Sequence, residues 1–251
     1  RTAKQGPYTK TVGLIVPSSD VNIEATYHRF APPGIAVATN RIALNRLSVK
    51  TLEEMLPQTE QAAEDLCHAE PDILISSSLT LGCFRDAMLQ NCVEQRTGIP
   101  CITSLVALVN LLKRFHLNRL ALLTPYQEEL NLLFKATLQR QGVDISYSKQ
   151  IVCPDGKACQ SIREIQELEW THIWKQVDTE ALKRSGSDVL LLGASGLQVP
   201  DNIPAVEQAL GIPLLLSEQF TLLYALEYLD CYQPIPALGW IFNAKPYHHI
   251  K

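Results

Sequence analysis

Two successive halves of this chain carry the same three apolar runs, and every run ends on a hydroxyl residue. The first half reads Val12-Gly-Leu-Ile-Val-Pro-Ser-Ser19, Asp72-Ile-Leu-Ile-Ser-Ser-Ser78 and Gly98-Ile-Pro-Cys-Ile-Thr-Ser104. The second reads Leu120-Ala-Leu-Leu-Thr-Pro-Tyr126, Asp188-Val-Leu-Leu-Leu-Gly-Ala-Ser195 and Gly211-Ile-Pro-Leu-Leu-Leu-Ser217. Short apolar runs of this kind read as strands buried on both faces of a parallel sheet. In each half the second run follows the first by about 60 to 70 residues and the third by about 25 more, and both third runs open with Gly-Ile-Pro. This self-similarity predicts an α/β fold of two pseudo-symmetric Rossmann-like lobes, each a parallel sheet flanked by helices, with a cleft between them. We place residues 1–110 plus 216–251 in the first lobe and 111–215 in the second. Ligands of open α/β sheets bind at the carboxyl ends of the strands, so the hydroxyls that close each run would line that cleft.

Helical stretches fill the intervals, as a parallel sheet requires. Thr51–His68 has apolar residues near helical spacing, with Ser48 as a cap. Phe84–Thr97, Leu105–Phe115, Gln127–Gln141 (closed by Gly142), Asn202–Leu210 and Phe220–Leu229 follow, and 160–184 holds one or two more helices. The proline-bearing tail after Tyr232 (Pro234, Pro236, Pro246) reads as irregular and is expected against the first lobe.

Composition removes several function classes. A formal net charge of −4 argues against nucleic acid, which selects a basic surface. No apolar run reaches the roughly 18 to 20 residues of a membrane span, and Arg1-Thr-Ala-Lys-Gln-Gly-Pro lacks the apolar core of a signal peptide. The expectation is a cytoplasmic protein, and a homo-oligomer is compatible with it. The 7 cysteines are scattered, without a C-x-x-C pair or zinc-like Cys/His spacing, so free thiols and no metal are expected. No glycine-rich phosphate loop occurs, and no cofactor is implied.

Gly13-Leu-Ile-Val-Pro-Ser-Ser-Asp20, Leu122-Leu-Thr-Pro-Tyr126 and Val199-Pro-Asp-Asn-Ile-Pro-Ala-Val-Glu-Gln-Ala-Leu-Gly-Ile-Pro213 resemble the aspartate/glutamate racemase superfamily, in particular maleate isomerases and arylmalonate decarboxylases. The resemblance covers about residues 12–229 with its motifs in order. It implies a pocket for a small carboxylate or dicarboxylate built from Ser77, Ser78, the Tyr126 hydroxyl and the amides of Gly196 and Leu197, with Pro17, Ser18 and Asp20 beside it. Helix N-termini offer unpaired N–H groups and a positive dipole end to such an anion. Each Ser or Thr could equally be a helix cap.

The resemblance breaks at its centre. Racemases and isomerases of this superfamily set one cysteine after the second strand of each lobe, and arylmalonate decarboxylase keeps the second. The matching positions here are Ser76 (or Ser77) and Ser195. A thiol exchanges a proton near neutrality, whereas an alcohol needs an activating base. Three readings follow: thiols replaced by design, chemistry that uses the pocket without a thiol, or a carboxylate-binding protein that has lost catalysis. The resemblance leads to a cofactor-independent carbon-acid enzyme of the decarboxylase type, working through an enediolate-like state with Ser195 and Ser76 at the proton-transfer positions. The alternatives are a maleate isomerase or an amino-acid or hydantoin racemase-like isomerase, and the catalytically silent binder. Among other groups, Asp20 is either a base or a cap of the first helix. Cys83 either enters the site through a rearranged loop or faces the core of the following helix, and Glu218, just after the last strand, either reaches the cleft or is an ordinary solvated acid.

Overall fold

A computed structural model describes residues 7–44 and 46–244, the side chains at 86 and 87 aside. Residues 1–6, Pro246 and the tail histidines His248 and His249 lie outside this range. The first half runs β1 (Lys10–Pro17), α1 (Asn22–Phe30), β2 (Ile35–Ile42), α2 (Val49–Leu66), β3 (Ile73–Ser76), α3 (Leu79–Thr97), β4 (Cys101–Thr103) and α4 (Ser104–Arg114). The second runs β5 (Arg119–Thr124), α5 (Glu128–Arg140), β6 (Asp144–Gln150), the short helices α6 (Ile162–Gln166), α7 (Trp170–Lys175) and α8 (Thr179–Arg184), then β7 (Val189–Leu192), α9 (Ile203–Leu210), β8 (Leu214–Leu216) and α10 (Ser217–Tyr228). A single short helix, α11 (Trp240–Asn243), closes the described chain.

All strand pairings are parallel, and the two four-stranded sheets have the same order, β2-β1-β3-β4 and β6-β5-β7-β8. The fold is thus two like α/β lobes. The repeat persists in side-chain detail. Gly98 and Gly211 end α3 and α9 in the left-handed region, at φ +67° and +76°, where a Cβ would be strained. One turn earlier, Glu94 and Glu207 each accept the amide that starts the next strand, Cys101 N–H at 2.9 Å and Leu214 N–H at 3.0 Å. At the amino edges Asp72 and Asp188 accept from the N–H groups of Thr11 and Arg119.

Each sheet holds a strand that periodicity did not reveal. β2 is half-exposed along most of its length, and β6 (Asp-Ile-Ser-Tyr-Ser-Lys-Gln) is polar and largely open. Both are edge strands, where charge and polarity deter further pairing and mask the apolar signal. Helix α2 starts one residue after Ser48, whose hydroxyl accepts from Thr51 N–H while Thr51 Oγ1 accepts from Ser48 N–H, a reciprocal capping box. Helix α3 begins five residues before the expected Phe84. Its backbone leaves helical geometry at Arg85 (φ −148°, ψ 37°), so a first turn capped by Ser78 precedes the long segment that the sequence shows. The 160–184 stretch divides into three short helices rather than one or two.

Helix α10 leaves β8 and packs on α4 and α1. The tail does not follow it onto the first lobe alone. Its last described segment lies largely on α9: Trp240 N–H donates to Glu207 Oε2 at 2.8 Å, and Gly239 sits against Ile203. Trp240 also meets Phe115, just beyond α4, edge to face. No helix among the described residues is long and apolar enough to cross a membrane.

Candidate active site

The carboxyl ends of the central strands meet at a buried centre built from both lobes. Ser195, beyond β7, is the bridge. Its hydroxyl donates to the Ser77 carbonyl at 3.0 Å and accepts from Leu79 N–H, the first amide of α3, at 3.1 Å. A helix-start N–H of this kind is the donor an oxyanion would use; here the Ser195 oxygen takes it. The Ser195 proton goes to a carbonyl, and a carbonyl does not activate an alcohol.

The hydroxyls after β3 are likewise engaged. Ser77 Oγ donates to the Ile15 carbonyl at 2.8 Å. Ser78 Oγ caps α3 through Leu81 N–H and lies 3.3 Å from Thr80 Oγ1. Ser76 ends β3 in register with Ile15 and Thr103 and is buried. Tyr126 is buried to 1% exposure; burial pushes its phenol well up, the neighbouring Cys83 adds to this, and the Ser195 backbone N–H pulls it back. Cys83 itself lies in the core within α3. Leu197 and Pro17 are buried as well, whereas Ser18 is exposed and its hydroxyl accepts from Leu44 N–H at 3.3 Å.

Gly196 is the pivot. It adopts φ +89°, and its amide is given to Glu218 Oε1 at 2.8 Å. Its carbonyl accepts from Asn22 Nδ2 at 2.8 Å. A Cβ at this position would lie 2.8 Å from Asp20 Oδ2, so only glycine admits the carboxyl group. Two acids therefore converge on one glycine, Asp20 from the β1–α1 turn and Glu218 from the first turn of α10.

Both acids are buried, at 0% and 1% exposure, and for Glu218 this sets aside the solvated reading in favour of the one that brings it to the cleft. The α10 start is buried along Ser217, Glu218 and Gln219, because β8 delivers it into the contact between the lobes rather than to the surface. Asp20 Oδ1 does cap α1, accepting from Asn22 N–H at 2.9 Å and Ile23 N–H at 3.0 Å, but Oδ2 is buried without a hydrogen-bond partner. Burial pushes Asp20 up to about 6, against the pull of the Ile23 and Asn22 amides and of Arg41. Glu218 is pushed up to about 8, first by burial and then by the Asp20 charge, with the Gly196 amide and Ser217 hydroxyl opposing. Two carboxylates in one buried site favour retention of a proton.

Further hydrogen bonds hold the lobes shut around this centre. Leu47 N–H donates to Gln160 O, Val21 N–H to Gln166 Oε1, and Gln166 Nε2 to Ser19 O, all at 2.8 to 3.0 Å. Away from the centre, Cys153, Cys159 and Glu164 bring one ligand atom each within 4.8 Å of one another, the thiols 2.8 Å apart. This group could accept a soft or borderline cation. Its C-x5-C spacing differs from the short Cys/His spacings of zinc motifs.

A two-lobed α/β protein with a buried acidic and hydroxyl centre between like sheets defines a class, and comparison with known proteins names it. The model of the arylmalonate decarboxylase family matches residues 12–237, and the chain belongs to this family. It is similar to the maleate isomerase of Alcaligenes faecalis, 25% identical over 259 residues covering 95% of this chain and 98% of that one. It is similar also to the arylmalonate decarboxylase of Bordetella bronchiseptica, 25% identical over 216 residues covering 83% and 86%. Among solved structures, a cysteine-to-serine mutant of the Nocardia farcinica maleate cis-trans isomerase, carrying a covalently bound succinylcysteine intermediate, shares the fold. Its TM-score is 0.82 at 21% identity, over 93% of this chain and 98% of that one.

Proposed function

We propose that the protein is a cofactor-independent carbon-acid enzyme acting on a small carboxylate or dicarboxylate, a decarboxylase of arylmalonate type in the first instance and an isomerase in the second. The observation that carries this reading is the Leu79 amide at the start of α3, held opposite Ser195 beside two buried acids. A substrate carboxylate that displaced the Ser195 oxygen would take this helix-start donor, with the Tyr126 phenol and the Ser78 turn around it. In decarboxylation the electrons of the breaking C–C bond enter the remaining carboxylate, and the enediolate charge is stabilised by the same fixed dipoles. A proton then closes the α-carbon.

The family membership supports a decarboxylase or isomerase, and the serines at 76 and 195 weigh against a thiol mechanism. The test is incubation in D2O with aryl- and alkylmalonates, maleate and small α-substituted acids, following CO2 release and deuterium at the α-carbon. Decarboxylation or exchange with one of these acids is the expected result. Tight binding by calorimetry with no exchange on any of them would overturn the reading in favour of a carboxylate binder.

A further inference from the structure

We infer that Asp20 and Glu218 act as one carboxyl pair that holds a proton at the centre and delivers it to the substrate carbon, in the role that thiols play in this superfamily; the inference rests on the carbon-acid reading. The geometry carries it. The two side chains arrive from different lobe edges and meet at Gly196, one accepting its amide and the other filling the space of its absent Cβ. Three of the four oxygens have assigned partners: Asp20 Oδ1 on two α1 amides, Glu218 Oε1 on Gly196 N–H, Glu218 Oε2 on Ser217 Oγ. The fourth, Asp20 Oδ2, is buried without one, beside the residue that follows Ser195. A buried acceptor without a protein partner is costly unless the group is protonated or meets a donor.

The charged and titratable surroundings do not neutralise the pair. From β2, Arg41 lies close enough to favour an ionised Asp20, but its guanidinium is committed to the Asp20 and Ser18 carbonyls and to Glu24. Tyr27 on α1, its phenol donating to Thr221 Oγ1, and Tyr126 after β5 both face Glu218 and are themselves pushed up by burial and by that charge. Asp20 near 6 and Glu218 near 8 bracket neutrality, the range in which a group can both give and take a proton. In decarboxylation the O–H bond of the pair breaks as the α-carbon takes the proton. The electron pair left by departing CO2 becomes the new C–H bond, and the carboxylate regains a proton from water. In racemisation one member would take the α-proton as the other gives one to the opposite face.

Two measurements decide it. The first needs no substrate: infrared difference titration of the parent, Asp20→Asn and Glu218→Gln between pH 5 and 9. We expect an un-ionised carboxyl band in the parent at pH 7 that is lost in Glu218→Gln and altered in Asp20→Asn. A parent without this band, or variants that both retain it unchanged, overturns the shared proton. The second is exchange and CO2 release with phenylmalonate and maleate. Each variant should lose about 100-fold or more of the rate, with substrate affinity changed only a few-fold and one limb of the parent's pH profile displaced. Both amides are isosteric, and circular dichroism checks their folding. A band present with variant rates unchanged makes the pair structural only, and the carbon-acid reading stands. A band present with no turnover by the parent on any acid instead ends the carbon-acid reading, and the transfer role with it.

Discussion

At pH 9 the variant Glu218→Gln should be more stable than the parent, and at pH 5 the two should be nearly equal. Glu218 is almost completely buried, and its folded-state pKa of about 8 lies above the ordinary 4.5. The native protein therefore binds this proton more tightly than the unfolded chain does. The resulting stability is complete below pH 4.5 and is lost as pH rises through about 8. At about 1.4 kcal/mol per pH unit, this interval amounts to roughly 5 kcal/mol, of which about 4 falls between pH 5 and 9. Glutamine keeps both contacts, its carbonyl accepting from Gly196 N–H and its amide donating to Ser217 Oγ, but it cannot ionise. Subtracting the variant's profile from the parent's removes the other titrations, and the coupling to Asp20 is already contained in the position near 8. Thermal and urea midpoints at half-unit pH steps are the assay. A gap near 10 °C should open by pH 9, using about 2 to 4 °C per kcal/mol for a chain of this length. Superimposable profiles would refute the argument, because they would mean that Glu218 ionises in the native state as easily as in water.

Three further outcomes can be checked on the same scale. Ser195→Ala removes the oxygen that Leu79 N–H meets across the lobes and should cost about 1–3 kcal/mol in urea unfolding; no change would mean that water serves this amide. Gly196→Ala combines φ +89° with a methyl 2.8 Å from Asp20 Oδ2 and 3.1 Å from Ile162 Cγ2, and a loss of about 1–3 kcal/mol or more is expected, read as a fall in thermal midpoint. Glu207→Ala frees two backbone amides, Leu214 and Trp240, where Glu94→Ala frees the one backbone amide of Cys101 and the Gln90 side-chain amide, so backbone amide exchange should accelerate more widely in the first variant, and equal effects would contradict the pairing.

The lobed architecture was legible because its signals are local. Gly-Ile-Pro occurs twice since a left-handed glycine must end α3 and α9 and an extended pair must begin β4 and β8. The apolar runs that precede the hydroxyls are strands with helices on both faces. β2 and β6 escaped notice because an edge strand has little need to be apolar. The serines after β3 and β7 were legible as cap or pocket groups, but which hydroxyl does what was not, since Ser77 and Ser195 are told apart only by partners 62 to 118 residues away and Ser78 only by the helix start that it caps. For Glu218 the sequence left cleft and solvent both open. Ser-Glu-Gln-Phe is ordinary composition for an exposed first helical turn, and nothing local shows that the other lobe covers it. Its place directly after the Leu-Leu-Leu of β8, where a strand's carboxyl edge meets the cleft, was the available signal.

The hydrogen bonds that seal the two lobes have a consequence for how tightly any ligand can be seen to bind. Asp20, Glu218 and Ser195 at Gly196 are withdrawn from solvent, so a molecule reaches them from a form in which the Ser195, Asn22, Gln160 and Gln166 contacts are parted. An apparent dissociation constant equals the intrinsic one divided by the fraction of molecules in that parted form. A population of roughly one in a hundred would weaken the observed affinity about a hundredfold and slow association by a similar factor, whatever the complementarity of the pocket. Gln166 grips Ser19 and Val21, the residues on either side of Asp20, so weakening its clamp would tighten apparent binding and at the same time loosen the turn that positions one of the two acids.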